Sequence, residues 1–327
     1  MIRRRFYFSV LLVVALLSLA SGLGWGVWTA ISQQKLISGN ESRTVYLAKG
    51  DGLLRLAYQL WDQRATRALW HTVITSEALG LSGRLQAGEY RITPDQTLES
   101  FLNSIVKGER IQRRLVVPEG LSSKQVAILV ENSFGIEVSR PITISEGSVL
   151  PDTYFYERGE TADAIISRMQ TALASELERL WDQRANDLPI KSKAEAIILA
   201  SIVEKETAVA RERPLVAAVF INRLRQGMRL QSDPTIIYGI TQGLPLGRGI
   251  TRSELRTETP YNTYRINGLP PGPIANAGLD SIKAVLNPPD VPYYYFVADG
   301  SGGHAFAKTL KEHNRNVAKW RQIEKNL

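Results

Sequence analysis

The longest hydrophobic feature of the chain stands at its start. Phe6 to Ala30 contains no charged residue, and Arg3, Arg4 and Arg5 precede it. That length is enough to cross a hydrocarbon core of about 30 Å, which takes ~20 residues as a helix. No later segment has another uncharged apolar run of that length. Residues 31–43 are polar and read as a linker. Beyond them the pattern shortens and alternates. Val45-Tyr46-Leu47 has the period of a strand, Lys49-Gly50-Asp51-Gly52 makes a turn, and Leu53, Leu54, Leu56, Ala57 and Leu60 follow helical spacing. A second helix is predicted over Arg64 to Ala78, and Glu89-Tyr90-Arg91-Ile92-Thr93 alternates as a strand. After the Pro94-Asp95 turn, Leu98, Phe101, Leu102 and Ile105 fall at i, i+3, i+4 and i+7. The sum is a strand–helix–helix–strand unit with one more helix.

A strand and a glycine turn recur at Arg114 to Leu121. Ser122 and Gln125 then read as a capping box ahead of Val126, Ile128, Leu129 and Val130. The strongest helical pattern runs from Lys193 to Arg211, and a second helix closes at Val219 to Leu224. From Leu230 onward the chain is rich in Gly, Pro, Asn and Tyr, with Asp233-Pro234 and Pro271-Gly272 read as turns. A strand at Tyr293 to Val297 leads into Asp299-Gly300-Ser301-Gly302-Gly303-His304. The fold class expected is α+β. Its parts are a cytoplasmic tip and apolar anchor (1–30), a linker (31–43), a small α/β module (44–107) and a larger α+β domain (108–327).

Charge and composition narrow the setting. The chain of 327 residues carries 40 Lys plus Arg against 32 Asp plus Glu, a net charge of +8, and no cysteine. A disulfide scaffold, a thiolate metal site and a cysteine nucleophile are thereby excluded. Three scattered histidines, His71, His304 and His313, make a His-rich metal site a poor expectation; no metal and no cofactor are expected. The arginine triplet marks the cytoplasmic side, the far flank from Ile31 to Asn40 holds only Lys35, and Trp25 and Trp28 suit the outer interface. The rival reading is a cleaved signal peptide at Leu19-Ala20-Ser21-Gly22, but the apolar run continues past that site. Either reading puts the bulk of the chain outside the cytoplasm, which makes nucleic acid an implausible partner and favours an envelope substrate. A single-pass inner-membrane protein with a periplasmic domain is expected.

Two carboxylates on the strongest helix are the candidate chemistry. Glu204 and Glu206 are two positions apart and so point about 200° away from each other at about 100° per residue. Glu206 shares a face with Leu199, Ile202, Val203, Val209 and Ala210, whereas Glu204 neighbours Ala200, Ser201, Thr207 and Ala208. A carboxyl on an apolar face is costly when charged, and desolvation raises its pKa toward what a general acid needs. The bland alternative is a Glu206 satisfied by Arg211 or Arg223. Downstream Asn, Thr and Tyr residues supply the neutral hydrogen bonds and ring faces that hold sugars.

Family resemblance sharpens this. Val45 to Ala57, with its Lys49-Gly50-Asp51 turn, resembles the opening of a LysM module, a binder of N-acetylglucosamine polymers. More specifically, Ile202-Val203-Glu204-Lys205-Glu206-Thr207, Phe220-Ile221-Asn222-Arg223-Leu224, Ser232-Asp233-Pro234-Thr235, Tyr261-Asn262-Thr263-Tyr264, Gly268-Leu269-Pro270-Pro271-Gly272-Pro273-Ile274 and Tyr295-Phe296-Val297 occur in the order of the endolytic murein transglycosylases, the MltG or YceG-like family. Glu119-Gly120 and Pro151-Asp152-Thr153-Tyr154 also match that family's earlier blocks. The resemblance implies cleavage of the MurNAc–GlcNAc β-1,4 bond within nascent glycan strands, leaving 1,6-anhydroMurNAc ends and terminating strand elongation. It implies Glu206 as the catalytic residue, peptidoglycan strands as substrate and peptidoglycan synthases as protein partners. Asn222, Asp233, Thr235, Tyr238, Tyr261, Asn262, Thr263 and Tyr264 are the substrate-binding candidates. Two other readings stay open: a non-catalytic cell-wall scaffold, and a hydrolysing muramidase using Glu204 or Asp233 as second carboxylate.

Overall fold

The apolar start forms one helix, α1 (Ile2–Ser32). In the computed structural model residues 2–37 and 40–325 are described, without the side chains of residues 2–11. The arginine triplet's side chains, and residues 38 and 39 of the expected linker, therefore lie outside the described residues. Within α1, Leu12–Ser32 has a mean hydropathy of 1.7 and is long and apolar enough to cross a membrane. Leu16, Leu19, Leu23 and Trp25 are exposed, and only the end of the segment, Ile31 and Ser32, is buried by the rest of the protein.

The chain divides into two units, one of residues 1–113 with 157–159, in which α1 falls, the other of 114–156 with 160 onward. In the first, β1 (Arg43–Leu47) pairs antiparallel with β2 (Gly88–Ile92), Val45 opposite Tyr90. The chain between them forms α2 (Leu53–Asp62) and α3 (Leu69–Ala78), and α4 (Leu98–Lys107) follows. The alternation of β1 and β2 and the helical spacing of α2 and α4 bring Val45, Leu47, Leu56, Leu60, Tyr90, Ile92, Phe101 and Ile105 into one core. Thr97 and Ser100 close a capping box at the start of α4, and Gly108 ends it in the left-handed region with φ 72°. Helix α3 starts at Leu69, not Arg64, because Arg64 adopts φ 56° and breaks the helical run. The stretch expected as a polar linker is in part packed: Leu36 and Ile37 are buried in this core, and the Leu36 N–H donates to the Gln96 carbonyl at 3.0 Å.

In the second unit β3 (Arg113–Val116) pairs with β4 (Thr153–Tyr156). Between them lies α5 (Ser123–Glu131), capped by Ser122 and Gln125. A long α6 (Ala162–Asp182) leads to α7 (Lys193–Glu206) and α8 (Arg213–Arg225). Next come α9 (Asp233–Thr241), α10 (Arg252–Arg256) and α11 (Leu279–Leu286). The hairpin β5 (Tyr295–Ala298) and β6 (His304–Ala307) and a final α12 (Leu310–Glu324) complete the unit. The fold is mixed helix and strand, with strands confined, among the described residues, to three two-stranded sheets. Helix α7 is central: Ala196, Leu199, Ala200, Ile202 and Val203 are fully buried among residues of α8 and α11, including Val216, Ala217, Phe220, Ile282 and Val285. A helix apolar on nearly every side belongs inside a core, and this one carries carboxylates only at its ends, Glu195 in the first turn and Glu204 and Glu206 in the last.

Candidate active site

Helix α7 ends at Glu206, five residues before the end expected from sequence. Thr207 leaves the helix with φ −143° and ψ 130°, and its hydroxyl accepts the Val209 N–H at 3.0 Å. The apolar period continued through Val209 and Ala210, but that pair belongs to an extended segment and a 3-10 turn, so only Leu199, Ile202 and Val203 share Glu206's helical face.

The Glu206 carboxyl borders a cavity of about 440 Å³ that Arg223, Asp233, Tyr264, Phe296 and His313 also line. The Ser232 hydroxyl donates to Glu206 Oε1. Ser232 is itself fixed from behind. Its N–H donates to Thr263 Oγ1 at 2.9 Å, Thr263 Oγ1 lies 2.9 Å from Thr235 Oγ1, and the Thr235 hydroxyl donates to the Ser232 carbonyl at 2.7 Å. Ser232, Thr235 and Thr263 are all buried. Gln231, at φ 55°, turns the chain so that Ser232 enters the site, and its N–H donates to the Thr263 carbonyl at 3.2 Å.

Burial pushes the Glu206 carboxyl up to about 7, and the Asp233 charge adds to the rise; the Ser232 hydrogen bond, His304 and Arg223 oppose it. Arg223 does not neutralise Glu206 by an ion pair. Its guanidinium is spent on carbonyls, Nε donating to Tyr294 at 2.7 Å and NH1 to Leu230 at 2.6 Å. A carboxyl that is half protonated near neutrality can both give and take a proton.

Glu204 has a different task. Only 5% of its side chain is exposed. Oε2 accepts the Gly278 N–H at 3.0 Å and the Ser281 hydroxyl at 2.7 Å, and Oε1 faces Arg213 at 3.4 Å. Arg213 also meets Glu119 at 3.0 Å, while the Lys205 ammonium donates to the Gly120 carbonyl at 3.1 Å. Helical spacing surrounds Glu204 with small and polar neighbours and does not reveal this role: the residue ties α7 to the start of α11 with both oxygens committed.

The other sequence candidates separate into three groups. Asp233 and Tyr264 line the Glu206 cavity, and the Tyr264 hydroxyl donates to Asp233 Oδ1 at 2.7 Å. Asp233 and Pro234 open helix α9 and do not form the expected turn, since proline suits the first helical turn. Thr235, Thr263, Asn222 and Asn262 turn inward or to backbone. The Asn222 amide donates to the Val291 and Tyr293 carbonyls at 2.7 and 3.0 Å, and Asn262, 1% exposed, donates to the Thr257 carbonyl at 2.6 Å. Tyr238 and Tyr261 form a ring pair, centroids 4.8 Å apart, on another cavity. Sequence reasoning missed Ser232 as a partner of Glu206 and the Glu212–His304 pair, in which His304 Nδ1 lies 2.7 Å from Glu212 Oε2 and the His304 N–H donates to Oε1 at 3.1 Å. Ser232 stands in the Ser232-Asp233-Pro234-Thr235 block, but only folding brings it to the end of α7.

Known proteins are similar along most of this chain. The model of the YceG-like family matches residues 45–319. An endolytic murein transglycosylase of Bacillus subtilis (strain 168) is 30% identical over 276 residues, covering 74% of this chain and 74% of that protein. One of Streptococcus pneumoniae serotype 2 is 30% identical over 283 residues, covering 72% of this chain and 50% of that protein, so the match spans half the pneumococcal relative. A crystal structure of a YceG-like protein from Listeria monocytogenes is 28% identical and covers 85% of this chain and 99% of that one, with a TM-score of 0.49.

Proposed function

This chain belongs to the YceG-like family and is a lytic transglycosylase, and we propose that it cuts the MurNAc–GlcNAc β-1,4 bond inside nascent peptidoglycan strands with Glu206 as its one acid and base. The observation that carries the assignment of Glu206 is its carboxyl on a cavity wall, held by Ser232 and raised to about 7 by burial.

The chemistry needs one carboxyl. Protonated Glu206 gives its proton to the glycosidic oxygen as the bond from that oxygen to C1 of MurNAc breaks. The carboxylate so formed takes the proton of the same sugar's C6 hydroxyl as O6 bonds to C1. The product is a 1,6-anhydro ring, no water is consumed, and Glu206 is returned protonated. Acid–base catalysis of this kind contributes about 10²–10⁴-fold. Ser232 stabilises the carboxylate between the two proton transfers, and Asp233, held by Tyr264, places negative charge beside the positive charge that develops at C1.

Anchoring through α1 at the inner membrane, N-terminus cytoplasmic and both units periplasmic, brings the enzyme to strands as they are made. Cutting there releases the strand and ends its elongation, which suits partnership with peptidoglycan synthases. The first unit acts in this reading as a LysM-like glycan holder.

One observation favours a second reading. Asp233 shares the cavity with Glu206, and ordinary glycosidases use two carboxylates to deliver water. Digestion of purified peptidoglycan followed by mass spectrometry separates them: transglycosylation leaves anhydro ends lighter by one water, and hydrated ends would establish a muramidase instead.

A further inference from the structure

The larger unit holds a second cavity that the acid–base chemistry does not use. It measures about 510 Å³, and Tyr238, Tyr261, Glu146, Ile142, Ile144 and Lys124 are in its wall. Two segments connect it with the Glu206 cavity. Helix α9 starts at Asp233, in the wall of the Glu206 cavity, and carries Tyr238 and Gly239 into the wall of the second. Segment 261–264 does the same in reverse, with Tyr264 at the Glu206 cavity and Tyr261 at the second. A hollow of about 420 Å³ follows the same helix, bounded by Pro234, Ile237 and Tyr238. Asp233 to Tyr238 spans roughly 7–8 Å of helix axis, so a ligand engaging both cavities is longer than one sugar ring.

We propose that this second cavity is a distal glycan subsite of the Glu206 site, holding an amino-sugar ring of the strand away from the bond that is cut. The proposal rests on the transglycosylase reading, and endolytic cutting gives it a purpose, because an enzyme that cuts within a strand has to hold rings beyond the cleaved pair. The wall has the chemistry a neutral amino sugar needs. The Tyr238 and Tyr261 rings are inclined at 52° and offer faces for the apolar side of a pyranose. Gly239 makes room for them, since a side chain there would meet Tyr261 Cβ at 3.2 Å. Glu146 is a fixed acceptor for sugar hydroxyl or acetamido N–H groups: the Ser123 N–H and hydroxyl donate to its Oε1 at 2.8 and 3.2 Å. Burial holds its carboxyl above the ordinary range. Ile142 and Ile144 give the acetyl methyl an apolar seat. This mixture of ring faces, apolar wall and a few placed polar groups is that of a small-ligand pocket.

The test uses the full chain in detergent micelles carrying Glu206→Gln, so that ligand is bound and not turned over. Glycan fragments of four and eight sugars are titrated by calorimetry. The eight-sugar fragment should bind the parent at least about tenfold more tightly than the four-sugar one, and Glu146→Ala or Thr143→Trp, which fills the cavity from its exposed rim, should remove most of that tenfold difference. Thr143 is exposed, so Thr143→Trp decides the matter should Glu146→Ala fail to fold. Equal affinity for the two lengths, or a length preference that survives both substitutions, overturns the subsite. Hydrated ends in the peptidoglycan digest would overturn the transglycosylase reading without altering this binding result.

Discussion

Ser232 donates its hydroxyl to Glu206 Oε1 across 26 residues of chain. That bond favours the charged carboxylate, against burial and the Asp233 charge, which favour the neutral acid. The balance leaves Glu206 at about 7, and the activity should report it.

Activity that needs Glu206 protonated declines as pH rises through about 7. Ser232→Ala removes a donor that lowers the carboxyl's pKa, so the alkaline limb of the kcat/KM profile should move to higher pH. A profile of the Ser232→Ala enzyme measured from pH 5 to 9 checks this; a limb that stays in place or moves to lower pH contradicts it.

The same carboxyl should make stability depend on pH. Its pKa rises from 4.5 in the open chain to about 7 in the fold. The folded chain therefore holds the proton more tightly, and stability from this group is fully present below about pH 4.5 and lost as pH rises through about 7. Because the carboxyl's open edge meets the cavity, the amount is at most about 3 kcal/mol. Glu206→Gln cannot ionise, so at pH 8 it should be more stable than the parent, by urea denaturation, with the gap closing toward pH 5.

Glu204 should matter to folding. Removing it strips Arg213, the Gly278 N–H and the Ser281 hydroxyl of a shared buried partner. Glu204→Ala should cost about 3 kcal/mol, the lower end for breaking a buried pair, since Arg213 keeps Glu119. Denaturant titration measures it, and a cost under about 1 kcal/mol, typical of exposed pairs, would show that this network is not holding α7 to α11.

Much of this was legible because it is local. The β1 and β2 alternation, the helical spacing of α4 and the Ser122–Gln125 capping box are written within a few residues of each other. So is the apolar face of Glu206, since Leu199, Ile202 and Val203 lie within two turns. What stayed hidden depends on distant chain. The end of α7 is set by the extended Thr207, although the apolar period runs on through Val209. Glu204 became an anchor only through Arg213 and the start of α11. Asn222 and Asn262, suited by type to sugars, are taken by carbonyls that a sequence cannot place beside them.

The anchor reading predicts a simple fractionation. A chain beginning at Ile31, which keeps the buried Ile31, Leu36 and Ile37 of the first unit, should stay in solution without detergent, while the full chain sediments with membranes. Protease added from the periplasmic side should digest the bulk of the full chain. Sedimentation of the shortened chain, or protection of the full chain's C-terminal part, would contradict single-pass anchoring through α1.

Comparison of Glu206→Gln with Glu204→Gln on purified peptidoglycan tests the central claim most directly, with anhydro-ended fragments counted by mass spectrometry and folding checked by circular dichroism. Glu206→Gln keeps the shape and removes the titrating proton, so release should fall by at least about 10²-fold while the fold survives, and Glu204→Gln should keep most of its turnover. Near-normal release by Glu206→Gln together with an inactive, folded Glu204→Gln would contradict the assignment of Glu206 as the acid and base.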